Sequence, residues 1–213
     1  MKYYVVDVFS NAPFLGNPVA VVICDKQLAS NQMQQIAAWF NLSETTFVTD
    51  FQPDPVSYQV RIFTPRGELP FAGHPSLGTA AAVKTHFDYA PQTICQHCKA
   101  GVIEVRFDLS GTVHLLALEP KMELLSNTTR SQLADVLSLD SAAIEQAAII
   151  DSGPLWITAL LSEAESIQDL DPNFTDIEHF SNELQATGIM LGAAMPEENW
   201  YKVRTFAPGS GCS

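Results

Sequence analysis

The sequence predicts an α+β fold built as two copies of one plan, each a sheet wrapped around a buried helix. Three observations carry this. Strand-like segments follow one another with only occasional helices and no regular strand–helix–strand alternation, which argues against a parallel α/β class. The stretch Leu77-Gly78-Thr79-Ala80-Ala81-Ala82-Val83 has no polar face beyond one threonine, and a helix that is apolar all round must be surrounded by protein. Finally, Tyr58-Gln-Val-Arg-Ile-Phe-Thr-Pro65 returns as Tyr201-Lys-Val-Arg-Thr-Phe-Ala-Pro208, identical at five of eight positions after a shift of 143 residues. Each copy follows a helix and a short apolar strand, so the repeat is one of supersecondary plan.

The elements follow in order. Residues 3–9 alternate as a strand, and Ser10-Asn11-Ala12-Pro13 and Gly16-Asn17-Pro18 turn the chain. The unbroken apolar run Val19-Ala20-Val21-Val22-Ile23 marks 18–24 as a buried strand. A helix capped by Ser30 places Met33, Ile36, Ala37 and Phe40 on one face. Strands are expected at 45–49 and 56–63. The apolar helix comes next, near 75–86, with Pro75 tolerated in its first turn. Strands at 93–98, 102–109 and 113–118 complete the first lobe, the last two joined by a Ser110-Gly111 hairpin turn. Beyond Glu119-Pro120, helices are expected at 129–137 and 176–184, and strands at 148–151, 155–161 and 189–194. The lobes are therefore read as 1–118 and 119–213. The second stops at Gly209-Ser-Gly-Cys-Ser213, where its own central helix should begin, and is expected to lack that helix and its C-terminal strands.

Composition narrows the function classes. Twenty-four acidic residues against 11 basic ones give a formal charge of −13, with no basic stripe to displace counterions from nucleic acid or an anionic membrane. Hydrophobic residues make up 46 % and charged ones 16 %, enough for a sizeable core and too apolar for global disorder. No apolar run approaches the ~18 residues that span a bilayer, and Asp7 interrupts the N-terminal apolar stretch too early for a signal peptide. Four unevenly spaced cysteines do not form a disulfide framework, which points to a reducing cytoplasm.

Few residues offer chemistry. In Leu42-Ser43-Glu44-Thr45-Thr46-Phe47, Glu44 lies between a helix and a strand, either as a solvated surface charge or as a proton carrier. The 143-residue shift maps it onto Thr187, so a second carboxylate is not supplied; this suits one-base proton transfer and not a glycosidase, which needs two carboxylates across the scissile bond. His74 precedes the apolar helix, whose first amides lack intrahelical partners and attract an anion; its alternative role is a packed N-cap. Gly73 and Gly78 do not make a P-loop, because Thr79 stands where a lysine is required. Gly209-Ser210-Gly211 is too short for a dinucleotide fingerprint but could open a second anion-binding loop. Cys95-Gln-His97-Cys98 is half a zinc site, and on a strand its two thiols diverge, so no metal is expected. Trp39 and Trp156 are read as core residues, with Gly153-Pro154-Leu155-Trp156 able to line a pocket.

Val6-Asp7-Val8-Phe9, Gly16-Asn17-Pro18-Val19-Ala20-Val21, Leu42-Ser43-Glu44-Thr45-Thr46-Phe47 and Phe63-Thr64-Pro65 through Phe71-Ala-Gly-His74-Pro-Ser-Leu-Gly78 resemble the PhzF family of phenazine-biosynthesis isomerases. Gly153-Pro154-Leu155-Trp156 and Val203-Arg204-Thr205-Phe206-Ala207-Pro208 extend the resemblance to the second half. It implies a diaminopimelate-epimerase-like fold of two pseudosymmetric lobes with the site in the cleft between them. It also implies cofactor- and metal-free proton transfer on a small carboxylated, in some members cyclic, substrate, and a homodimer. By the same resemblance Glu44 is the acid/base, and Ser43, Gly73, His74, Pro75 and Ser76 surround the substrate. Ala72 stands where diaminopimelate epimerase has its first cysteine, so two-thiol racemisation is not implied. Relative to the family the chain is expected to be C-terminally truncated, which leaves an inactive homologue acting as a small-molecule-binding or interaction module as the alternative.

Overall fold

The computed structural model describes residues 1–53, 56–88, 92–116, 119–195, 197 and 200–210. The chain divides into two compact units, Met1–Leu118 and Glu119–Gly211. In the first, strands β1 (Lys2–Val8) and β2 (Asn17–Ile23) precede helix α1 (Ser30–Phe40). Next come β3 (Glu44–Pro53), β4 (Val56–Phe63), β5 (Glu68–Leu69) and helix α2 (Gly73–His86). Strands β6 (Thr93–Cys98), β7 (Gly101–Phe107) and β8 (Val113–Leu115) close the unit. The sheet runs β1-β2-β3-β4-β6-β7-β8, with β5 paired to β4. Pairing is parallel for β2–β3 and β4–β6 and antiparallel elsewhere.

Helix α2 carries the crossover between parallel strands β4 and β6, and it packs against β1, β2, β3, β6, β7 and β8. Ala80, Ala82 and Val83 join Val19, Val21, Ile23, Tyr58, Val60 and Ile62 in one core. The opposite faces of the same strands present Val22, Phe47 and Phe63 to Met33 and Ala37 of α1. Strands covered on both faces must be apolar at successive positions, which accounts for the unbroken run in β2. At Gly78 an added Cβ would lie 2.5 Å from Val19 Cγ1 and 3.0 Å from Val8 Cγ2, so helix and sheet touch there through a missing side chain.

In the second unit, β9 (Lys121–Leu124), helix α3 (Asn127–Leu137), β10 (Ile144–Asp151) and β11 (Leu155–Leu161) precede a short α4 (Glu165–Gln168) and α5 (Phe174–Glu183). Strands β12 (Gly188–Met195) and β13 (Trp200–Phe206) follow. The sheet runs β13-β12-β11-β10-β9. Leu133, Leu137, Ile177 and Phe180 of its helices pack on Ile157, Ile189, Leu191 and Phe206.

The repeat is real at the level of topology. Strands β1–β4 recur as β10–β13 with the same antiparallel, parallel, antiparallel pairing, and α1 recurs as α5. What covers the sheets differs. Tyr58 and Val60 are 0 % and 3 % exposed under α2, whereas their counterparts Tyr201 and Val203 are 67 % and 57 % exposed. Among the described residues the second unit has helices on one sheet face only.

Several local expectations are corrected. Ser30 does not cap α1: the N-cap is Ala29, whose N–H donates to Gln32 Oε1, and Ser30 accepts from Arg61 Nη1. Trp39 is 76 % exposed rather than in the core, because the α1 face that meets the sheet is carried by Met33 and Ala37. Helices α3 and α5 begin two residues earlier than expected, at the Ser126 and Asn173 caps. Strand β8 ends at Leu115, and residues 117–118 of the expected strand lie outside the described residues. The hairpin turn holds: Gly111 has φ +88, and Asp108 Oδ1 accepts from the amides of Ser110 and Thr112.

Gly78→Ala is expected to lower unfolding stability by roughly 1–2 kcal/mol, the overpacking penalty less the gain in helix propensity. Urea unfolding measures it; an unchanged or raised midpoint would show that α2 has room against β1 and β2.

Candidate active site

The residues of interest gather at the N-terminal end of α2. Asn41, in the left-handed region at φ 51, ends α1 and turns the chain so that Leu42 and Ser43 lead directly into Glu44, the first residue of β3. Val19 pairs with Glu44, and β3 alternates so that Glu44 shares the α2-facing side with Thr46 and Val48. On α2 the N-cap is Ala72, so His74 is the second helical residue and not the cap. Its Nε2 lies 3.3 Å from Glu44 Oε2.

Both of those atoms are buried and lack an aligned hydrogen-bond partner. They are close enough to share a proton yet free to engage a third group. Asn17, at the start of β2, ties the surroundings together: Ser43 Oγ donates to its Oδ1 at 3.2 Å, and its Nδ2 lies 3.4 Å from His74 Nδ1. The Phe9 ring, on a residue held at φ 66, stands 6.3 Å from the imidazole. Asn17 and Phe9 were not expected as site residues. Both sit in motifs the sequence makes visible, but neither residue type signals chemistry by itself.

Gly16 explains how the 10–16 loop reaches this place. A Cβ there would lie 2.2 Å from the Val8 carbonyl oxygen and 2.5 Å from Asp7 Oδ1. Only glycine lets the loop press against β1 and deliver Asn17.

Electrostatics draw the two titrating groups together. Burial pushes the Glu44 carboxyl above its ordinary value, opposed by the hydrogen bond from Ser43. Burial drives the His74 imidazole down to about 4, opposed by a hydrogen bond to the Pro18 backbone. At neutral pH His74 is therefore an uncharged imidazole beside a carboxylate that holds its proton more tightly than usual. Burial thus disfavours the charged form of both groups.

Of the other expected residues, Gly73 has open space where a side chain would be. The amides of Gly73 and His74 fall in the first turn, where no carbonyl of the helix can reach them. Pro75 has no N–H to offer and is buried. Ser76 is put to a structural use: its amide and hydroxyl both donate to the Ala72 carbonyl, and its hydroxyl accepts from Gln96. The counterpart of Glu44 is also corrected. Thr45 opposes Phe63 as Ile189 opposes Phe206, so Glu44 maps onto Gly188 and not Thr187; the carboxylate is still not duplicated. Cys98 Sγ contacts the Gly101 carbonyl, and among the described residues no group of three His, Cys, Asp or Glu gathers that could hold a metal ion. Pro208–Ser210 forms a 3-10 turn, and residue 211 of the glycine pair lies outside the described residues. Surface hollows of about 320 and 330 Å³ border the loop at Leu28 and the outer side of α1, not Glu44.

A mixed sheet enclosing an apolar helix, and a second unit repeating its first four strands, define an α+β protein of epimerase-like fold. The chain belongs to the PhzC-PhzF family, described as phenazine biosynthesis-like protein, whose profile matches residues 6–213. It is 35 % identical to antisense-enhancing sequence 1 of Schizosaccharomyces pombe, over 95 % of this chain and 71 % of that protein. It is 31 % identical to the trans-2,3-dihydro-3-hydroxyanthranilate isomerase of Pseudomonas fluorescens, over 99 % of this chain and 73 % of the relative. The PhzF-family phenazine biosynthesis protein of Bacillus anthracis superposes with a TM-score of 0.79 at 20 % identity, over 99 % of this chain and 74 % of that one, a likeness of fold. The chain spans 71–74 % of the length of these relatives. No helix among the described residues is long and apolar enough to cross a membrane.

The raised Glu44 carboxyl means that the fold favours its protonated form. That contribution is fully present below the unfolded value of 4.5 and is lost as pH rises through the higher folded value. Glu44→Gln, which mimics the protonated acid, is therefore expected to melt above the wild type at pH 7–8, with the gap closing towards pH 4.5. In the same variant, stability should fall by about 2–3 kcal/mol as pH drops from 6.5 through about 4, because protonating His74 opposes its burial. Calorimetric melts across this range test both; a flat profile in Glu44→Gln would refute the buried neutral imidazole.

Proposed function

We propose that the chain is an isomerase that moves a proton on a small carboxylated substrate, with Glu44 as acid and base. The observation that carries this reading is the buried, unaligned Glu44–His74 contact of 3.3 Å. In the ionised state Glu44 takes a proton from an acidic C–H, and the electron pair left behind shifts the neighbouring double bond. Glu44, now neutral, returns the proton to the carbon at the far end of the shifted system. Neutral His74 supplies the adjoining hydrogen bond, and the Gly73 and His74 amides attract the substrate carboxylate. Ser43 hydrogen-bonds both Asn17 and Glu44, and so helps to hold the carboxyl in place. The reaction needs no cofactor and runs in a homodimer, as the family resemblance implies, and the cysteine usage places it in the cytoplasm. The relative from Pseudomonas fluorescens, named a trans-2,3-dihydro-3-hydroxyanthranilate isomerase, supports a cyclic dihydro acid as the substrate class.

A second reading, a non-catalytic interaction module, draws on the exposed Tyr201 and Val203 of the second unit. The two separate in one experiment. The protein is incubated with trans-2,3-dihydro-3-hydroxyanthranilate in deuterated water, and isomerisation and deuterium uptake are followed by NMR. Turnover by the wild type, lowered ~10²–10⁴-fold in Glu44→Gln, is the expected result. Equal rates in the two proteins would sink the role of Glu44, and no turnover by the wild type would favour the interaction module.

A further inference from the structure

Helix α2 raises a problem of rotation. An amphipathic helix is turned by its apolar stripe, but α2 buries Pro75, Gly78, Ala80, Ala82 and Val83 around much of its circumference. With small apolar residues on most sides, burial sets the rotation chiefly through the close contact of Gly78 with Val8 and Val19. His74 nevertheless has to arrive within 3.3 Å of Glu44.

Polar satisfaction adds a second constraint, nearer to His74. Tyr58 on β4 donates its hydroxyl to Gln96 Oε1 on β6 at 2.9 Å. Gln96 Nε2 donates to Ser76 Oγ at 2.8 Å, and Ser76 donates onward to the Ala72 carbonyl at 2.8 Å. Tyr58, Gln96 and Ser76 are all fully buried, so water cannot replace any of these partners. Parallel pairing of β4 with β6 sets Tyr58 directly beside Gln96. A second chain runs from Thr46 on β3 to Thr79 at 2.7 Å and on to the Pro75 carbonyl at 2.6 Å. Both chains end on carbonyls of the first turn, those of Ala72 and Pro75, which flank Gly73 and His74. Turning α2 by one residue, ~100°, would carry Ser76 away and strand the Gln96 amide at the full desolvation cost of a buried polar group. The second unit offers a contrast: the counterpart of Tyr58, Tyr201, is exposed, so the Tyr58–Gln96–Ser76 chain serves only the unit that carries Glu44.

We infer that Gln96, held by Tyr58 and acting through Ser76, is a positioning residue that fixes the rotation of α2 and so the placement of His74 against Glu44. Its consequence for catalysis rests on the function proposed above; the geometric claim is tested without substrate. Glu44 is the charged group within ion-pair distance of the imidazole, so the titration of His74 reports directly on this geometry.

The experiment is an NMR titration of histidine-labelled full-length chain in wild type, Gln96→Met, Tyr58→Phe and a control, Val105→Ala, which opens the same core on β7 without touching either hydrogen-bond chain. Gln96→Met keeps the volume and removes the hydrogen bonds. It is expected to move the His74 midpoint upward from about 4 by about one pH unit as the imidazole gains water. Tyr58→Phe should shift it the same way by less, and Val105→Ala should lower the melting temperature without moving it. A folded Gln96→Met protein whose His74 titrates as in the wild type would overturn the inference, as would an equal shift in the control. Should Gln96→Met not fold, Tyr58→Phe decides by the same criterion, since it loses a single oxygen. Failure of the proposed isomerase activity would leave this titration standing.

Discussion

The structure depends on one constraint: a helix with almost no polar surface must be enclosed on every side. Helix α2 meets that demand by carrying the chain from β4 to β6 inside a sheet that curves around it. The same demand explains several features that look unrelated. Strand β2 is apolar at successive positions because α2 covers one face and α1 the other. Gly78 is needed where Val8 and Val19 approach most closely. Four of the buried polar residues of this unit, Thr46, Ser76, Thr79 and Gln96, cluster around the helix and bond one another where its enclosure leaves no water.

Enclosure also creates the chemical environment of Glu44 and His74. The end of α2 is the one place where unsatisfied amides of the buried helix meet the sheet, and β3 starts beside it with a carboxylate. Desolvation works on the two groups in opposite senses, raising the acid and lowering the base. A surface pair would have neither property. The site is therefore held in a state that folding alone disfavours, an ionisable acid in a dry place, with packing elsewhere in the unit offsetting the cost.

The two units show how far one plan can diverge. Four strands and a helix keep their order and pairing, and the repeated arginines keep their place, but their partners differ. Arg61 forks onto Glu68, whereas Arg204 donates to the carbonyls of Ile167, Gln168 and Leu170. Glu44 has become Gly188, where a Cβ would meet the Phe206 carbonyl oxygen at 2.1 Å. The first unit wraps its helix and carries the Glu44–His74 contact; the second presents the matching sheet face without such a helix among its described residues.

Much of this was legible in the residue order. The α+β class, the buried α2, the repeat, and Glu44 and His74 as residues of interest all follow from local patterns, because periodicity, turn residues and composition report on short-range structure. Short elements such as β5, β9 and α4 left no such pattern. The exposure of Trp39 also went against composition, since a tryptophan beside an apolar stripe does not reveal which side of the helix meets the sheet. The contact between Glu44 and His74, the bridging role of Asn17 and the chain from Tyr58 through Gln96 to Ser76 join residues far apart in sequence. The sequence by itself determined which helix had to be buried and which titratable residues lay in its motifs. Only the tertiary structure decided how that helix is turned and which groups lose their water, because both depend on strands brought side by side by folding.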